Sequence, residues 1–290
     1  MTDASLKSLL DRLYAEKAET CLSLDPLEIV RRYSDPADRE VAGFIAAALA
    51  LGRSDLIRKA ASDILGVMGP SPARFAIRFE PVRDSAKLRG FVYRFFRERD
   101  VSLMLAWLRE ILREYGSVGG LFGKGIRDGD ADIGSALSRF VCVLLAMDAP
   151  RRLRPALRKG SGLRHFLADP ADGSACKRLN LYLRWMVRRD ALDLGIWKDV
   201  PPSRLVIPLD THIARLSGRL GLTTRSTPDW KMALEVTTSL RKFDPDDPVK
   251  YDFALCTVGK LHACPETADR SACKACPLAA CCRLLRVGAS

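Results

Sequence analysis

The chain is punctuated as a helical protein almost from end to end, and that punctuation limits the folds open to it. Helical periodicity bounded by caps recurs in nearly every segment, and no run alternates convincingly with period two. Asp35-Pro36 supplies an N-cap carboxylate and a proline at the first helical position, where its missing N–H is no loss. The helix continues through the apolar stretch 41–51 to Gly52, which is free to take a left-handed C-terminal geometry. Ser54 reads as the cap of a helix over 55–68, stopped by Pro70-Ser71-Pro72. Further helical patterns fall at about 86–97, 102–115, 131–146, 151–168 and 177–189. Thr227-Pro228 and Asp247-Pro248 repeat the cap-plus-proline start for helices at about 228–241 and 248–261. The expected fold class is all-α. Segment 191–209 breaks the pattern with Pro201-Pro202 and an aliphatic exit, and reads as a long ordered connection.

The N-terminus lacks the apolar core of a signal peptide and reads instead as an amphipathic helix with Leu6, Leu9, Leu10 and Leu13 on one side. The longest apolar stretch, 44–51, is too short to cross a bilayer, so a cytoplasmic monomer with reduced thiols is expected. The chain carries 47 basic and 35 acidic residues, a net +12. Eleven Lys and Arg fall between 151 and 189, against only Asp169 and Asp172. A basic excess concentrated this way in a helical protein points to a polyanion, and Arg151, Arg152 and Arg158 are the leading candidates for phosphate contact.

Five of the nine cysteines lie between 264 and 282. Cys264, Cys273, Cys276 and Cys282 are spaced C-x8-C-x2-C-x5-C, with Pro277 after the third. Four thiolates so close, in a chain with no sign of export, suggest a shared metal. Structural zinc usually pairs two short knuckles, and only Cys273 and Cys276 form one here. A [4Fe–4S] cluster takes one thiolate at each iron and accepts unequal loops, so it is the favoured occupant, with zinc the alternative. Cys281, beside Cys282, is an alternative fourth ligand.

Asp210 begins the segment Asp-Thr-His-Ile-Ala-Arg-Leu, whose Ile213, Leu216 and Leu220 share one helix face. It reads either as an N-cap or as a carboxylate facing a cleft, held ionised by the helix terminus. Upstream, Gly173, Ser174 and Ala175 form a small-residue turn before Lys177 and Arg178. Backbone N–H groups at such a turn suit a phosphate, although a plain helix–helix turn would look the same. Trp185 reads as core, whereas Trp197 on the connection suits either packing or base stacking.

The order of these pieces resembles the helix-hairpin-helix DNA glycosylases, of the endonuclease III and adenine mismatch glycosylase type. A turn ending in Lys177, the Asp210-Thr211-His212-Ile213 helix closing on Leu220-Gly221-Leu222, and the four-cysteine tail carry the likeness, which looks closest to a bacterial branch of the superfamily. Two features differ: the hairpin has one glycine where the family has Leu-Pro-Gly-x-Gly, and 33 positions separate Lys177 from Asp210.

The resemblance implies two helical lobes around a cleft. One is a six-helix barrel over about 30–200; the other joins 1–29 to 201–290 and carries the cluster loop. A DNA duplex with a lesion would be the partner, its damaged or mismatched base flipped into the cleft and released by hydrolysis of the N-glycosidic bond. Asp210 would be the catalytic carboxylate, and Lys177 would stand where bifunctional members carry a Schiff-base amine. Gly173, Ser174, Ala175 and Arg178 would contact DNA, and the cluster would be structural. The alternative is a catalytically silent DNA-binding protein that keeps the fold and cluster.

Overall fold

The computed structural model describes residues 3–20, 25–262, 264–265 and 273–286. Its helices are α1 (Asp3–Thr20), α2 (Leu27–Val30), α3 (Pro36–Ala48), α4 (Ser54–Met68), α5 (Pro72–Ile77), α6 (Pro81–Asp84) and α7 (Glu98–Tyr115). They continue with α8 (Val118–Lys124), α9 (Gly134–Ala146), α10 (Gly162–Phe166), α11 (Lys177–Val187) and α12 (Thr211–Leu220). The last are α13 (Trp230–Arg241), α14 (Asp252–Leu261) and α15 (Arg283–Arg286). Among the described residues, one antiparallel hairpin, β1 (Val92–Tyr93) with β2 (Phe96–Arg97), is the sole named sheet. No helix among them is long and apolar enough to cross a membrane.

Helix α3 is the axis of the fold because its second half is apolar all round: every residue from Val41 to Ala48 is buried, as are Leu49 and Ala50 after it. Asp35 caps it as the sequence predicts, its carboxylate accepting from Ala37 N at 2.8 Å and Asp38 N at 3.2 Å. Helices α2, α4, α5 and α11 pack around it. Gly43 makes the approach of α11 possible: a Cβ there would lie 2.7 Å from the Met186 side chain. At the other end of the chain, α1 packs on α14 through the buried Leu6, Leu9, Leu10 and Leu13, and α14 packs on α12. The first helix is therefore held against the last long one.

Several expected elements are corrected. The helix over 86–97 is absent; a 3-10 turn (Ser85–Leu88) and the hairpin take its place, with Arg94 left-handed at φ 52°. The pattern over 151–168 is broken by Pro150 and Pro155 into turns, a 3-10 helix (Arg154–Leu157) and the short α10. The helices after Thr227-Pro228 and Asp247-Pro248 start later than their prolines suggest, at Trp230 and Asp252, with Asp229 capping the first. Ser54 is the first residue of α4, with Arg53 in the cap position.

The basic window also divides. Arg151, Arg152, Arg154, Arg158, Lys159 and Arg189 are exposed, but Arg178, Arg184 and Arg188 are buried. Arg184 pairs with Asp252 and Asp193; Arg188 pairs with Asp193, with Asp190 at 2.9 Å and with Asp247 at 2.8 Å. The acids come from outside the window, so part of the local excess is neutralised in the interior.

Candidate functional site

Asp210 stands at the start of α12 with extended backbone, and its Oδ1 accepts from His212 N at 2.9 Å and Ile213 N at 2.8 Å. These bonds make it a true N-cap, so the first of the two sequence readings holds; they also leave the second oxygen pointing elsewhere. Oδ2 lies 3.5 Å from Cys256 Sγ on α14. The two helices approach closely because Gly259 presents no side chain: a Cβ there would sit 2.9 Å from His212 Cβ. Gly221, left-handed at φ 75°, ends α12.

Lys177 is the first residue of α11, and its Nζ donates to Ala50 O at 3.0 Å. Next to it, Arg178 Nη1 donates to Ala48 O at 2.6 Å. Arg178 thus sits on a carbonyl at the negative end of α3, where a helix leaves acceptors without intrahelical partners, and Lys177 on a carbonyl of the turn just beyond it. Burial pulls the Lys177 ammonium below the usual lysine value, while Asp210, and after it Cys256, hold it up. Burial likewise pushes the Cys256 thiol up to about 12, reinforced by Asp210. Asp252, paired with Arg184 behind, belongs to the same set. The fold therefore brings Lys177 and Asp210, 33 positions apart, into one electrostatic neighbourhood. Lys177, Asp210 and Cys256 are half-buried, so each keeps contact with solvent. Sequence reasoning misses Cys256 and Asp252; the i, i+4 spacing of 252 and 256 on one helix is the signal that would find them.

The turn before Lys177 has two left-handed residues, Gly173 at φ 81° and Cys176 at φ 48°. It docks on the start of α13: Trp230 N donates to Gly173 O at 2.9 Å, and Ser174 bridges to Asp229. Gly173 is exposed, while Ser174 and Ala175 are half-buried. Arg178, placed by the sequence on a phosphate-facing surface, turns inward instead, between Ala48 O and His165 Nδ1. Burial lowers its pKa to about 10. Arg151 and Arg158 project into solvent, and Arg152 reaches Val82 O and Ser85 Oγ, each at 3.4 Å.

Trp185 is fully buried, as its surroundings in the sequence predict. Trp197 is also core: it stacks on Phe122 at 5.5 Å and donates to Glu40 Oε1 at 2.6 Å, so it is not placed to stack on a base. The connection 191–209 packs into the molecule by Leu192, Val200, Leu205, Val206, Ile207 and Leu209. Two cavities lie away from the Lys177–Asp210 set, one of about 310 Å³ beside Arg74, Phe75 and Lys87 and one of about 230 Å³ beside Leu6, Leu222 and Lys242.

At the C-terminal end of α12, Arg215 and Arg219 hold the cysteine loop. Arg215 Nη1 donates to Cys264 O at 2.7 Å, and Arg219 Nη1 donates to Cys264 Sγ at 2.5 Å. The Cys276 thiol is pushed up by burial and then by Cys264, Cys273 and Cys282, so the four are electrostatic neighbours. Cys281 packs into the hydrophobic core beside Leu278. Among the described residues no set of three or more His, Cys, Asp or Glu side chains stands in metal-holding geometry; the stretch 266–272 between Cys264 and Cys273 lies outside them. Cys264, Cys273, Cys276 and Cys282 are all among the described residues and form no such set, although thiols are the donor type that an iron–sulfur cluster takes.

A model of a family of proteins of unknown function, DUF2400, matches residues 25–261. The chain belongs to that family. The matched span holds Lys177, Asp210 and Cys256, and ends three residues before Cys264. Comparison with curated proteins and with solved structures finds no match.

Proposed function

We propose that this protein is a DNA-repair glycosylase of the helix-hairpin-helix kind, with Lys177 and Asp210 at its reactive centre. The observation that carries the reading is that Lys177 and Asp210, 33 positions apart in the sequence, fall in one electrostatic neighbourhood, with Asp210 Oδ2 3.5 Å from Cys256 Sγ. Asp210 has one oxygen fixed by two N–H groups and the other free of the backbone. A carboxylate held this way is suited to stabilise positive charge developing on a sugar as its base departs. Lys177, with its ammonium disfavoured by burial, is an amine that lies closer to its nucleophilic form than a surface lysine. Cys264, Cys273, Cys276 and Cys282 would hold a [4Fe–4S] cluster. Bound there, it would supply no reaction step but would fix the loop that Arg215 and Arg219 already tie to α12.

The second reading, a catalytically silent DNA-binding protein, draws on one observation: the Lys177 amine is engaged by Ala50 O. A panel of duplexes with oxidised, alkylated, deaminated and mismatched bases separates the two. The glycosylase reading expects base release from at least one by wild type and none by Asp210→Asn, whose amide keeps the cap but lacks the charge. Release by neither, with equal DNA affinity, would establish the silent binder.

A further inference from the structure

The hairpin Val92–Arg97 is the largest departure of the fold from its helical plan, and its tip is chemically unusual. Phe95 is 53% exposed and Val92 63%. Two-residue hairpin turns favour Gly or Asn where φ is positive, yet the left-handed position here is Arg94 at φ 52°. Residues 89–100 carry four arginines, Arg89, Arg94, Arg97 and Arg99, against Glu98 and the buried Asp100.

The place of the tip gives these features meaning. Tyr93 Oη donates to Leu51 O at 2.7 Å, one residue from the carbonyl that holds Lys177. Arg94 lies over Gly52, where a Cβ would come within 2.7 Å of its Nη2. The Phe95 ring rests 5.5 Å from that of His165, which in turn contacts Arg178. The hairpin is thus fastened to the turn 50–52 beside Lys177, with the Arg94 guanidinium laid on Gly52 next to Tyr93, while Arg94 and Phe95 as residues stay exposed.

We propose that Arg94 and Phe95 form a nucleobase-stacking site that selects DNA with locally unpaired bases. This rests on the reading of Lys177 and Asp210 as a DNA site. A ring with a free face accepts a base only where that base has left its own stack, and flanking arginines complement the phosphates on either side. Paired, fully stacked DNA offers the ring no such face.

The test is fluorescence anisotropy with labelled single-stranded DNA, a duplex holding an unpaired bulge, and a fully matched duplex. Wild type is expected to bind the first two more tightly than the third. Phe95→Ala should weaken the first two about tenfold and the matched duplex less than twofold. Phe95→Trp should retain the affinity, and its emission should be quenched on binding single strands. Arg94→Gly should keep or raise the melting temperature by relieving the left-handed strain, yet weaken the same two DNAs. Equal loss on all three DNAs, no loss with Phe95→Ala, or no wild-type preference for unpaired DNA would overturn the proposal. All of these are binding readouts with Asp210 intact. Indifference to Phe95→Ala therefore removes the stacking site but leaves base removal standing; Phe95-dependent binding without base release does the reverse.

Discussion

Residues 151–159 and 177–188 have nearly the same basic character in the sequence and opposite roles in the fold. In the first, Arg151, Arg152, Arg154, Arg158 and Lys159 are exposed on turns that prolines keep from becoming a helix. In the second, Arg178 caps the carbonyl end of α3, Lys177 holds the turn just after it, and Arg184 and Arg188 are bound to buried carboxylates. The first region is a solvent-facing surface and the second is part of the interior framework. Charge counting treats them alike because it does not see Asp190, Asp193, Asp247 and Asp252, which reach the arginines only through the fold.

The sharpest break between the two should come from Arg184→Ala, because removing one partner strands buried charge. We expect a stability loss of about 3–5 kcal/mol in urea unfolding, against less than about 0.5 kcal/mol for Arg158→Ala on the surface. The pH dependence carries a sign. Burial pushes Asp193 and Asp252 up to about 6, and Arg184 works against that rise. A raised carboxyl pKa means that the folded state holds more protons than the unfolded between the ordinary value of about 4 and the folded one. Stability then rises as pH falls through that window. Without Arg184 the window widens upward, so the variant should regain stability between pH 7 and 5 relative to wild type. An equal deficit at both pH values would show that the pair does not govern these carboxylates.

The exposed half makes the complementary prediction. Reversing charge at Arg151, Arg152 and Arg158 should leave unfolding unchanged but cut DNA affinity strongly and equally for all sequences. It should also flatten the salt dependence by roughly one unit of slope for each phosphate that the protein no longer neutralises. Unchanged affinity would remove this surface from the DNA interface. A smaller, local effect concerns the cysteine loop: the purified protein should be brown with about four irons, and Cys273→Ser should bleach it. Cys281→Ser should keep the colour, since Cys281 lies in the core. Loss of colour there, with Cys282→Ser retaining it, would exchange the fourth ligand.

Legibility in the sequence follows the range of the interaction that decides each feature. Caps are local, so the Asp35 and Asp210 N-caps, the apolar face of α1 and the Gly221 terminator can be read directly. The hairpin cannot, because two-residue strands are too short to show alternation, and Arg94 occupies a conformation in which glycine would be expected. Arg178 and Trp197 are decided by distant partners, the carbonyls of α3 and the buried Glu40, and no local pattern announces either. Lys177 and Asp210 can each be picked out singly, but their electrostatic coupling arises only in the fold, where Gly43 lets α11 onto α3 and Gly259 lets α12 onto α14.

That the two side chains act as one centre is the central claim, and a double-mutant cycle on base release tests it most directly. Wild type, Lys177→Gln, Asp210→Asn and the double variant are compared on the lesion released most rapidly, with DNA affinity measured alongside. If the two side chains act as one centre, either single change removes most of the activity and the double variant is little worse than the poorer single one. Losses that multiply independently, or a Lys177→Gln protein that releases base at the wild-type rate, would contradict it.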